Sequence, residues 1–93
     1  MDPKNAAAFN NLAWILATAP QNDLRNPQRA VHLAEKAVSI ERSAMFLDTL
    51  AEAYYVNGST EKAIEIIEEA IDRAKKNRGY YKRQLKKFQT GGL

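Results

Sequence analysis

The sequence predicts an all-α fold, with antiparallel helix hairpins stacked as an α-solenoid and a capping helix at the C-terminal end. Three observations carry this. Apolar residues recur at helical spacing along most of the chain. The pattern is also written twice: Phe9, Leu12, Ala13 and Leu16 return as Leu47, Leu50, Ala51 and Tyr54, and Ala30, Leu33, Ala34, Ala37 and Val38 return as Ala63, Ile66, Ile67, Ala70 and Ile71. Finally, turn-forming residues punctuate the pattern at intervals that allow short helices only. Stacked units of this sort bury one another's apolar faces and leave a long surface for other chains, with no chemistry built in.

The elements follow in order. Asp2-Pro3 reads as an N-cap followed by proline at the first helical position, opening a helix that runs through Phe9, Leu12, Ala13 and Leu16 to about Thr18. Pro20 stops it, and the segment from Ala19 to Asn26 is a loop by composition. Asn26-Pro27 repeats the cap-plus-proline start for a second helix to about Ile40. Its stripe is largely alanine, which lets helix axes approach at the short end of the ~8 to 10 Å range. After a turn at Glu41 to Ser43, a third helix runs through Leu47, Leu50, Ala51 and Tyr54 to Asn57-Gly58, read as a left-handed C-cap pair. Ser59 or Thr60 caps a fourth helix, expected to reach about Lys76, with acids such as Glu69 preceding bases such as Arg73. Asn77 to Gly79 interrupts it. Tyr81, Leu85 and Phe88 then mark the narrow stripe of a fifth helix, before Gly91-Gly92.

Composition narrows the function. A chain of 93 residues makes one small domain that buries roughly 60 to 65% of its unfolded surface. Without cysteine it has no disulfide, thiolate metal site or thiol nucleophile. The apolar runs are short and interrupted, and the N-terminus lacks a basic segment followed by an apolar one, so neither a membrane span nor a signal peptide is expected. The net charge of +3 conceals a division. All 11 acids lie at or before Asp72, whereas Arg73, Lys75, Lys76, Arg78, Lys82, Arg83, Lys86 and Lys87 follow with no acid among them.

These residues resemble the tetratricopeptide repeat, a helix-turn-helix unit of about 34 residues. The second unit, about 44–76, carries the pattern in Leu47, Leu50-Ala51, Tyr54, Gly58, Ala63, Ile67 and Ala70. The first, about 6–43, has Phe9, Leu12-Ala13, Leu16, Ala30, Ala34 and Ala37, with a longer connection that lacks glycine. A capping helix at about 79–89 completes the single domain. The proline that the family places at the junction is replaced by Arg42. Met1 to Ala6 is similar to the end of a preceding repeat, which suggests a piece of a longer array, and the Leu-Ala-Trp start with its proline-containing loop is similar to units of bacterial proteins. The resemblance implies a protein-binding scaffold that is not an enzyme.

In that family the first helix of each unit lines the concave face. The resemblance therefore assigns Asn10 and Trp14 from the first unit and Asp48 and Glu52 from the second to a peptide-binding groove, extended by Ala17, Thr18, Tyr55 and Val56. Trp14 and Tyr55 are the large amphipathic types enriched in binding hot spots, and each could equally pack against its own neighbours. One subclass grips a C-terminal carboxylate with basic residues; Asp48 and Glu52 stand at those places here, so the expected ligand is neutral or basic and partly apolar.

A catalytic reading finds no support. His32 has no cysteine or second histidine at ligand spacing, the acids are better explained as solvated helix faces, and no glycine-rich phosphate loop is present. No metal or cofactor is expected. The basic patch of Lys75, Lys76, Arg78, Lys82, Arg83, Lys86 and Lys87, interleaved with Tyr80, Tyr81 and Phe88, supports a competing reading as a nucleic-acid or acidic-surface site. Favourable cations at helix C-termini and the polar outside of a cap explain the same charges more simply. Self-association through an open N-terminal edge carrying Phe9 is a further alternative.

Overall fold

The computed structural model describes residues 5–92. Within them the chain forms five helices and no strand: α1 (Ala6–Thr18), α2 (Pro27–Ile40), α3 (Ala44–Val56), α4 (Thr60–Arg73) and α5 (Arg78–Thr90). The expected Asp2-Pro3 start lies outside the described residues. α1 is instead capped by Asn5, whose Oδ1 accepts from the Ala8 amide at 3.0 Å. Asn26 caps α2 by accepting from the Arg29 amide at 3.2 Å, with Pro27 in the first turn where its missing N–H costs nothing. Ser43 does the same for α3 through the Phe46 amide.

The connections fix the helix directions. Three-residue links join α2 to α3 and α3 to α4, too short to run back along a helix of about 20 Å, so each pair is antiparallel. The longer α1–α2 loop is closed by the Asn26 amide donating to the Leu16 carbonyl at 2.9 Å and by Arg25 Nε donating to the Ala19 carbonyl at 2.8 Å. Gly58, at φ 87°, ends α3: its amide donates to Tyr55 and the Ser59 amide to Tyr54, the paired bonds that close a helix over a left-handed residue. Asn57, at φ −85°, is not left-handed, so the expected cap pair reduces to Gly58 alone.

α4 also departs from expectation, ending at Arg73 and not near Lys76. Ala74 is extended, and Asn77 adopts the left-handed conformation at φ 61°, which asparagine tolerates better than other side chains. These two residues turn the chain so that α5 folds back onto the body.

Each helix packs on its neighbour in sequence, and α1 also packs on α3. Alanine makes this closeness feasible: Ala13, Ala30, Ala34, Ala37, Ala51, Ala53, Ala63 and Ala70 are fully buried, with Leu47, Ile67 and Phe88 as the largest buried side chains. Arg42 ties the α2–α3 turn to α4 by a two-pronged bond to Glu69, with both distances 2.6 Å, and Arg73 joins the same carboxylate at 2.7 Å. The resulting slab measures 35 × 31 × 18 Å.

Candidate functional site

Of the residues expected in the groove, the structure brings Asn10, Trp14 and Asp48 together and leaves Glu52 and Tyr55 apart from them. Asn10 and Trp14, one helical turn apart on α1, face an open groove of about 700 Å³. Asn11 and Ile15 of α1 join them. Met45, Asp48 and Thr49 of α3 form the second wall, and Asn77, Tyr80 and Tyr81 at the start of α5 close one end. Two of the chain's exposed large apolar side chains, Ile15 at 55% and Met45 at 59%, lie in this one depression.

Glu52 and Tyr55 are elsewhere, and their expected place in the groove is corrected. α5 covers them. Glu52 is 5% exposed and accepts from Lys87 Nζ at 2.6 Å and Gln84 Nε2 at 3.3 Å. Tyr55 packs against the Phe88 ring, centroids 4.8 Å apart, with the Lys87 ammonium over it. The hollow expected along both units is therefore filled by the chain's own last helix at one end and open at the other. The cause is the early end of α4, which brings α5 back across α3.

Asp48 sits at the boundary. It is 7% exposed and accepts from Gln84 Nε2 at 3.1 Å, yet it also lines the open groove. Burial pushes its carboxyl up to about 6, against the opposing pull of hydrogen bonds from Gln84 and Tyr80 and of the Lys87 charge. The Tyr80 hydroxyl is in turn pushed up to about 12 by burial and by the nearby Asp48 and Glu52 carboxylates. Across the groove, Asn10 is 7% exposed and its Oδ1 is buried without a hydrogen-bond partner. Buried acceptors are nearly always paired, so this oxygen calls for an explanation.

The basic patch is divided as well. Lys75, Lys76, Arg78, Lys82, Arg83 and Lys86 are exposed, whereas Lys87 is engaged with Glu52. The aromatic residues expected to interleave with these cations are not on their face: Tyr81 and Phe88 are buried, and Tyr80 turns to the groove. Phe9 is 5% exposed beneath the Lys36 ammonium, so it does not present the open stacking edge expected of it. His32 is exposed, and among the described residues no group of His, Cys, Asp and Glu could hold a metal ion. Among them too, no helix is long and apolar enough to cross a membrane.

Sequence reasoning passed over Asn11, Ile15, Met45, Thr49 and Asn77. Asn11, Ile15 and Thr49 directly follow the expected groove residues Asn10, Trp14 and Asp48, and a wider stripe on each helix would have included them. Gln84 gave no such signal, because nothing local marks a glutamine that will be buried against two acids. Comparison with known protein families, with curated proteins and with solved structures gives no match to this chain.

Proposed function

We propose that the chain is a non-enzymatic interaction module, built as two tetratricopeptide-like hairpins with α5 as their cap, that docks a peptide or helical segment of another protein in the groove between α1 and α3. One observation carries the reading: exposed Ile15 and Met45 and half-buried Trp14 and Tyr80 line a single depression, a concentration of apolar surface left in contact with water. Large, stiff aromatic groups lose little entropy when a partner covers them, so Trp14 and Tyr80 are the expected anchors. Asn10, Asp48 and Thr49 supply polar groups that orient the ligand.

The basic face of α5 is a weaker candidate for a nucleic-acid site. Its cations lack the exposed rings on which bases would stack, and charge alone gives binding that fades steeply with salt.

Selection of random displayed peptides on the native protein, followed by binding to Trp14→Ala, tests the reading. We predict that selected peptides lose about ten-fold or more in affinity, the usual scale of a hot-spot truncation. Equal binding to both proteins would place the contact surface elsewhere.

A further inference from the structure

We infer that the groove receives a lysine or arginine side chain of the partner polypeptide, flanked by apolar residues, with Asp48 and Asn10 as its acceptors. The inference rests on the docking reading above and adds the chemistry of the ligand. Three features point to a cation.

Charge comes first. Among the described residues that line the groove, Asp48 alone is charged; the neighbouring acid, Glu52, is already compensated by Lys87. Asp48 is 7% exposed, and its hydrogen bonds come from the neutral Gln84 amide and Tyr80 hydroxyl, with the Lys87 charge nearby but bonded to Glu52, so a charged donor would be a stronger direct partner. Burial already disfavours its charge, so an incoming ammonium or guanidinium gains more there than at an open surface.

The orphaned Asn10 Oδ1 is the second feature. Asn10 and Asp48 occupy equivalent places in the two copies of the repeat and line the same groove. Rotation about the broad terminal torsion of asparagine turns its oxygen toward an entering donor. Lysine and arginine carry several donors and can serve both acceptors at once, whereas a carboxylate or a lone hydroxyl cannot.

Third, the walls suit the rest of such a side chain. Met45 and Ile15 offer apolar surface for an alkyl stem, and the Trp14 and Tyr80 rings offer faces that attract cations. The segment flanking the cation must then be apolar enough to cover what the stem leaves open.

The composition of peptides selected on the native protein provides the test. Winners should carry a lysine or arginine beside apolar residues, and replacing that cation with glutamine should weaken binding about ten-fold. Asp48→Asn keeps an acceptor for Gln84, so the fold is retained; it should weaken the same peptides about as much as the glutamine replacement, and the two changes together should cost little more than either alone. Asn10→Ala should give a smaller loss.

Peptides that need Trp14 but lack a cation, or bind Asp48→Asn as tightly as the native protein, would overturn the cation inference and leave the docking reading standing. Peptides indifferent to Trp14→Ala, or no selected peptide at all, would overturn both. Light scattering of the free protein should show a constant mass across concentration; a mass that grows, and reverts in Asp48→Asn, would mean that a second copy is the occupant and would overturn the inference.

Discussion

Two carboxylates, Asp48 and Glu69, should pull stability in opposite directions as pH changes. Burial raises the Asp48 carboxyl from 3.8 to about 6, so its ionised form is disfavoured in the folded chain and stability from this group grows as pH falls from about 6 toward 4. We predict that Asp48→Asn stabilises the protein by about 2 kcal/mol at pH 7 and by nothing measurable below pH 4, as read by thermal melting at the two pH values. Glu69 behaves oppositely. The bond from Arg42 is the main cause that holds it down to about 2 from 4.5, with Arg73 assisting, so its contribution is complete above 4.5 and is lost as pH falls toward 2. Both guanidinium groups are half-exposed, so solvent screening keeps the worth of the network small; Glu69→Gln should cost about 1 kcal/mol at pH 7 in a denaturant titration. The sequence made the Glu69–Arg73 pair legible because helical spacing fixes it. Arg42, and the Gln84 bonds to Asp48 and Glu52, were hidden, since those partners meet only after distant helices have packed.

At the scale of the elements, Asn26-Pro27 caps α2 as its residues predict, whereas Ser59 heads α4 without a side-chain cap bond and the Ser43 cap of α3 lay in what reads as a plain turn. Ends were less legible. Gly58 was recognisable because a left-handed residue without a Cβ is the usual way to close a helix, and no atom stands within 4 Å of where a Cβ would be. Gly58→Ala should therefore cost about 1 kcal/mol, entirely from backbone conformation, with no change in the groove. The end of α4 was misjudged because Ala74, Lys75 and Lys76 are good helix formers; tertiary packing of α5 and the left-handed Asn77 outweigh that propensity. α5 itself is strongly basic on its outer face and holds to the body through Tyr81, Gln84 and Phe88. Phe88→Ala should cost about 3 to 5 kcal/mol, and hydrogen exchange should then show α5 opening before α1 to α4. Uniform exchange across all five helices would mean that α5 is not a separable lid on the acids it covers.

For the whole molecule, the repeated pattern made the helix count and the alanine-rich contacts readable, because each copy corroborates the other. It did not reveal how far along the slab the hollow stays open. That depends on the angle at which α5 returns, which a few backbone torsions between Ala74 and Asn77 decide. The consequence is a surface of two characters: at one end the chain's own helix bonds Glu52 and packs on Tyr55, and at the other Ile15 and Met45 are exposed beside a half-buried Trp14. The acidic body and basic terminal segment are joined through Lys87–Glu52 and Arg73–Glu69, in which the cations are 37% and 48% exposed, so moderate ionic strength should lower the melting temperature slightly. The central claim is that the uncovered end is where another polypeptide binds. Amide and indole chemical shifts of the labelled protein, recorded while a selected peptide is added, test it most directly. Trp14 is the chain's one tryptophan, so its indole signal is unambiguous. The largest shifts should fall on Asn10, Trp14, Met45, Asp48 and Tyr80, with the outer faces of α2 and α4 unmoved. Shifts centred on Lys82, Arg83 and Lys86 instead, with the Trp14 indole unchanged at saturation, would contradict it.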